Sequence, residues 1–186
     1  MATRIERRRF TVEDYHRMHD AGILGEDDRV ELVGGEGVEM SPIGSRHAAC
    51  VRRLVRILER QIGAGAIVDS QNPIRIDPDA EPQPDVAALR SRPDYYEHGH
   101  PTQADVLLIV EVSDTSLVYD RLVKLPLYAA AGIAEAWLVD LNGANVERHG
   151  LPGVQGYSQV VYARRGESLT STGLPAIALD ADGVLG

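Results

Sequence analysis

Three residues of this 186-residue chain have the types and spacing for hydrolytic chemistry: Asp85, Glu111 and Lys124. Asp85 follows Pro84 at the start of a strand-like stretch. Glu111 stands near the end of Leu107-Leu108-Ile109-Val110-Glu111-Val112, the most apolar run in the chain. An ionised carboxylate buried there is costly unless a partner or a metal compensates it. Two such groups on neighbouring strand ends make an oxygen-rich site for a hard cation such as Mg²⁺. Lys124 lies one helix later. Asp120, Lys124 and Tyr128 fall at i, i+4 and i+8 and so share roughly one helix face. A lysine aimed at such a site can orient a water and stabilise negative charge developing on a phosphoryl oxygen. The metal would lower the pKa of that water and act as a Lewis acid. There is no CxxC pair, HExxH, P-loop or G-x-S-x-G, so zinc and nucleophilic-serine chemistry lack support.

Helices and strands must carry these residues. Thr11 is placed to cap a helix to about Ala21, with Val12, Tyr15, Met18 and His19 as its apolar stripe. Arg29–Val33, a Gly34-Gly35 step and Val38–Met40 predict a β-hairpin. Ser45 opens a helix to about Ile62, where Val51, Leu54, Val55, Leu58 and Ile62 recur at helical spacing. His47 falls on its inward face; Arg52, Arg53, Arg56 and Arg60 project outward. Short strands are expected at Ala66–Val68, Ile74–Ile76 and Asp85–Leu89, with loops at Pro78–Pro84 and Ser91–Ala104, the latter holding His98 and His100. Leu107–Val112 reads as a central strand covered on both faces. A second helix is expected over Leu117–Ala131, with Leu122, Leu125 and Tyr128 on one face and a kink or late start at Pro126. Strands at Ala136–Val139, Asn145–Arg148 and Tyr157–Tyr162 and a weak tail follow. The order predicts a single α/β domain over residues 1–186, core about 10–163, with a mixed sheet and helices packed on it.

Composition narrows the class. The chain is 44% apolar and 25% charged, which is globular. One Trp, one Phe and seven Tyr leave the core to aliphatic residues. The single cysteine, Cys50, excludes an intrachain disulfide and points to a reducing cytosol. The Arg- and Glu-rich start, Met1–Phe10, lacks the apolar stretch of a secretory signal, and no run is long enough to span a bilayer. The net charge of −9 is awkward for a nucleic-acid binder, although a local basic face would answer it.

Pro84-Asp85, Glu111-Val112-Ser113, Asp120 to Lys124, Tyr128, Gly132-Ile133 and Trp137-Leu138-Val139-Asp140 together resemble the Uma-two family, a bacterial restriction-endonuclease-like branch of the PD-(D/E)XK superfamily. Arg29-Val30-Glu31-Leu32 with Gly35-Glu36, and His47 in the next helix, resemble its N-terminal pattern. The resemblance spans about Phe10 to Asp140. It implies a mixed central β-sheet flanked by helices. It implies Asp85 and Glu111, with the Val112 carbonyl, as metal ligands for Mg²⁺ (Mn²⁺ substituting), Lys124 as the lysine of catalysis, and Glu31 and His47 as further site residues. It implies DNA as substrate. One departure stands out: the superfamily's lysine two residues after Glu111 is Ser113 here, and Lys124 on the next helix takes its place.

Each residue also has a plainer reading. Asp85 suits a turn, Glu111 an arginine pair at a strand end, Lys124 a solvated helix surface, Glu31 a cross-strand pair and His47 a satisfied core position. The four arginines suit a solvated face, with phosphate binding as the alternative. Asp120 and Tyr128 read as structural and Cys50 as a small buried hydrophobe. Two other functions compete with a Mg²⁺-dependent nuclease: a catalytically idle scaffold on the same fold, and a hydrolase of another phosphate ester. A homodimer is expected because two-fold pairs are the commonest oligomers.

Overall fold

The structure is a computed structural model that describes residues 8–25, 27–76 and 78–186; the first seven residues of the Arg- and Glu-rich start lie outside it. Helix α1, Val12–Asp20, is capped by Thr11, whose side chain accepts the Asp14 amide while Asp14 accepts the Thr11 amide. α1 lays Val12 and Tyr15 on Leu32 of the hairpin β1 (Val30–Val33) and β2 (Glu36–Glu39). Gly34 and Gly35 both hold left-handed φ in the turn, and a Cβ on Gly35 would meet Arg9 Cβ at 2.5 Å, so glycine is required there.

Helix α2, Ser45–Ile62, follows. Its cap residue is Gly44, with no side-chain cap bond, rather than the expected Ser45. Strands β3 (Ala66–Asp69), β4 (Val86–Arg90), β5 (Val106–Ser113), β6 (Glu135–Asp140), β7 (Asn145–Gly153) and β8 (Gly156–Arg164) form one six-stranded sheet in sequence order. Only β5 and β6 run parallel, and the helical crossover between them makes that possible. The expected strand at Ile74–Ile76 is not a ladder strand. Its residues make isolated bridges, Arg75 with Thr102 and Ile76 with Ala80, because Pro73 and the Pro78–Pro84 loop bend the chain back on itself.

The pleat of β5 sorts its residues between two cores. Leu108, Val110 and Val112 pack with Leu54 and Leu58 of α2; Ile109 packs with Leu125 and Tyr128 beyond β5. The expected second helix is three pieces: α3 (Leu117–Tyr119), a π turn over Asp120–Lys124, and α4 (Leu125–Ala130). Pro126 has no amide to give Leu122, and the Leu125 amide reaches Asp120 instead, an i→i+5 bond. This realises the kink, and it turns Leu122, expected on the buried face, out to solvent at 72% exposure. The tail forms the hairpin β9 (Ser168–Thr170) and β10 (Ala178–Asp180) and helix α5 (Ala181–Leu185), and it packs Leu169, Ile177, Leu179 and Val184 into the α2 side of the core. Among the described residues no helix is long and apolar enough to cross a membrane.

Candidate functional site

Strand register brings Asp85 and Glu111 together. Val86 pairs with Val110, so the next position outward sets Asp85 opposite Glu111. The Asp85 amide points at Glu111 Oε2 (3.4 Å), and Asp85 Oδ2 accepts the Val112 amide at 2.8 Å. His47, in the first turn of α2, brings Nε2 to 3.0 Å from Asp85 Oδ2. Its Nδ1 is buried with no hydrogen-bond partner among the described residues. The hydrogen bond to Asp85 raises the imidazole above its usual pKa, against the opposing pull of burial.

Lys124 comes from the end of the π turn and is buried. Its Nζ lies 3.1 Å from Glu31 Oε2 and 3.3 Å from Glu111 Oε1, and donates to the Gln83 carbonyl at 3.3 Å. Glu31 is delivered by the hairpin. The Glu81 amide bonds the Leu32 carbonyl, and the Gln83 amide donates to Glu31 Oε2 at 3.0 Å. Tyr128, one turn on from Lys124, donates to Glu111 Oε1 at 2.5 Å. Asp120 Oδ2 accepts the hydroxyls of Ser113 (2.6 Å) and Ser116 (2.5 Å). Ser113 shares the strand face of Glu111, so the position where the superfamily carries its lysine here anchors Asp120.

The electrostatics are unbalanced. Glu31, Asp85, Glu111 and Asp120 converge on one lysine and one histidine. Burial pushes the Glu111 carboxyl up to about 8; Lys124 and Tyr128 oppose the rise, while Asp85 and Asp120 add to it. Burial also raises Asp120, over the lowering effect of its two serines. Burial pulls the Lys124 ammonium down, but Glu111, Glu31, Asp120 and Asp85 outweigh it, and the lysine stays charged.

The five side chains singled out from the sequence, Asp85, Glu111, Lys124, Glu31 and His47, thus line one cavity of about 510 Å³ together with Val112. His100 lines a separate cavity with His16 and Glu81. Three contributors escaped the sequence reading. Tyr128 and Asp120 were on the right helical face but read as structural. Gln83 acts through its backbone, which no side-chain pattern reveals. Among the described residues no three His, Cys, Asp or Glu side chains are arranged to hold a metal. What the site offers is two carboxylates, Asp85 and Glu111, beside Val112. Asp85 Oδ1 has no hydrogen-bond partner among the described residues, and the surplus of negative charge fits a hard cation rather than a soft one.

The family model Uma2, described as "Putative restriction endonuclease", matches residues 12–182. No curated protein matches the chain. Among solved structures, the chain is similar to one described as "a putative nuclease belonging to DUF820 from Anabaena variabilis ATCC 29413", with a TM-score of 0.70 and 14% identity over 95% of this chain and 97% of that one. At that identity the likeness speaks for the fold alone.

Proposed function

We propose, from the premise that the chain belongs to the Uma2 family, that it is a divalent-metal-dependent endonuclease hydrolysing DNA phosphodiester bonds at the Asp85–Glu111–Lys124 cavity. The observation that carries the reading is the carboxylate excess. Four acids face one lysine, and burial raises Glu111 to about 8, which is the electrostatics of a site that gains from a further positive charge. Asp85, Glu111 and the Val112 carbonyl would hold Mg²⁺, with Mn²⁺ as substitute. When bound, such an ion supplies Lewis acidity and a more acidic water.

The protein's own residues do the rest. Lys124 keeps its charge between Glu31 and Glu111 and is placed to stabilise negative charge on a phosphoryl oxygen. Tyr128 fixes Glu111 Oε1 and leaves Oε2 on the Asp85 side. His47, held at Asp85 Oδ2, sets the orientation of that carboxylate. The expected homodimer and cytoplasmic location belong to the same reading; sedimentation of the purified chain tests the first.

A second reading, an idle scaffold, draws on the net charge of −9 and on Lys124 being already ion-paired. Calorimetric titration with Mg²⁺ or Mn²⁺ and plasmid cleavage separate the two. The nuclease reading expects metal binding and cleavage in the native chain, both lost in Asp85→Ala and Glu111→Ala with the fold retained. Undiminished cleavage in both variants removes the site assignment. No metal binding and no cleavage of any DNA form leaves the scaffold. Activity confined to a small phosphodiester points to a different ester.

A further inference from the structure

The arginines of α2 divide into two groups. Arg46 pairs with Asp114 and donates to Asn142, and Arg53 donates to the carbonyls of Val184 and Leu185. Both brace the fold. Arg52, Arg56 and Arg60 do not. They are exposed, they recur at i, i+4 and i+8, and none has a side-chain hydrogen bond or ion pair among the described residues. Several other cations of this acidic chain are matched: Arg17, Arg92, Arg121, Lys124 and Arg165 each meet a carboxylate. Three unmatched guanidinium groups in one row are a local surplus against a net charge of −9.

Their position relates them to the proposed nuclease site. Arg52 and Arg56 line a cavity of about 500 Å³ with Ser70 and Gln71. Glu59 also lines it but pairs with none of the three arginines among the described residues. Gln71 lines the candidate-site cavity as well. It holds a left-handed φ of 58°, and its amide donates to the carbonyl of Pro84, the residue before Asp85. The two cavities therefore adjoin at Gln71. α2 begins beside Asp85 with His47, and Arg52 to Arg60 extends about 12 Å along its axis. One strand of a duplex carries a phosphate per about 3.4 Å of axis, so the row can meet about three phosphates. A solvated face would also leave arginines exposed, but gives no reason for all three to lack a carboxylate partner in one row whose first two members, Arg52 and Arg56, line the cavity adjoining the site.

We propose that Arg52, Arg56 and Arg60 form a phosphate track that holds the backbone of a DNA duplex flanking the hydrolytic cavity. The inference rests on the nuclease reading for its substrate, and it answers how a chain of this net charge engages a polyanion: locally, along one helix face. Contacts of this kind position the duplex and carry no sequence information.

The test is fluorescence anisotropy of a short fluorescein-labelled DNA duplex with the full chain, in EDTA, over a range of KCl concentrations. Binding is then read without cleavage. Each single Arg→Ala variant is expected to lower the slope of log affinity against log salt by about one, and the triple variant by about three. The substitutions are on an exposed helix face where alanine is the better helix former, and circular dichroism checks the fold. Arg164→Ala removes an unpaired surface arginine far along the sheet, on β8, and should leave the slope unchanged. An unchanged slope in the triple variant, an equal loss in Arg164→Ala, or no duplex binding by the native chain overturns the track. A loss seen with polyglutamate and not with the duplex overturns it in favour of an acidic protein surface. Slope loss in a chain that never cleaves leaves the track standing and removes the hydrolytic reading; cleavage with an unchanged slope does the reverse.

Discussion

Glu111 on β5 and Glu147 on β7 flank the same residue, Leu138 on β6, from either side of one face of the sheet. Both are almost wholly buried, at 2% and 1% exposure. Yet their electrostatic states are opposite. Burial raises Glu111 to about 8, with Asp85 and Asp120 adding to it. Burial raises Glu147 too, but hydrogen bonds from His149 (2.9 Å) and Arg121 outweigh it and hold that carboxyl below its usual value. The same π turn serves both, presenting Arg121 to Glu147 and Lys124 to Glu111. Burial of an acid is therefore not by itself the mark of a site. What separates the two is the count of charges around each: Glu147 has matched neighbours, whereas Glu111 shares one lysine with three other acids.

The largest effect that tests this contrast is on catalysis. Lys124→Met removes the only lysine from the crowded end, and plasmid cleavage in Mg²⁺ is expected to slow by about 10² to 10³. Cleavage at the native rate would mean that Lys124 only neutralises its neighbours. Next comes the pair Glu147→Gln and Glu111→Gln, compared by urea denaturation in EDTA above pH 8. Glu147→Gln gives up charge-assisted bonds and should cost about 2 kcal/mol. Glu111→Gln relieves an ionised carboxylate among acids and should stabilise by on the order of 1 kcal/mol. Equal losses in the two variants would erase the distinction.

The pH dependence follows with a definite sign. The folded-state pKa of Glu111 lies above the unfolded value of 4.5. The stability it contributes is therefore complete below that unfolded value and is lost as pH rises through about 8. Native chain in EDTA should show a lower urea midpoint above pH 8 than at neutral pH, and Glu111→Gln should show a smaller drop. A drop of the same size in that variant would assign the effect elsewhere. The smallest expected signal comes from Cys50, where burial dominates and pushes the thiol up to about 12. It should resist alkylation at pH 8 in the native protein and react once unfolded; rapid native labelling would contradict its burial.

Much of this site was legible without coordinates. Glu111 stood out because an acid inside Leu107–Val112 violates its apolar surroundings, Asp85 because it follows Pro84 at a strand start where the two acids could share a cation, and His47 and Glu31 entered through resemblance. Glu147 was not singled out, because its strand has no comparable run. Tyr128 and Asp120 were placed on the correct helical face but read as structural, since spacing tells which residues can meet and not what they meet. The break in the second helix was signalled by Pro126; its form as a π turn, and the exposure of Leu122, were not. Ile74–Ile76 had strand composition but no room in a ladder beside Pro73 and Pro78.

By itself the chain's order of residues determined most of the element types, the continuous apolar run that buries β5 on both faces, and the chemistry on offer: hard oxygen ligands, one lysine, one histidine. Those follow from local periodicity and from the cost of burying charge. Only the tertiary structure decided that β4 meets β5 in the register that sets Asp85 against Glu111, and that a π turn aims Lys124 and Arg121 at different glutamates. The same holds for the cavity that Gln71 joins to the arginine face of α2. Register, helix phase and the balance of charge in a shared volume are sums over residues distant in sequence, and no local pattern contains them.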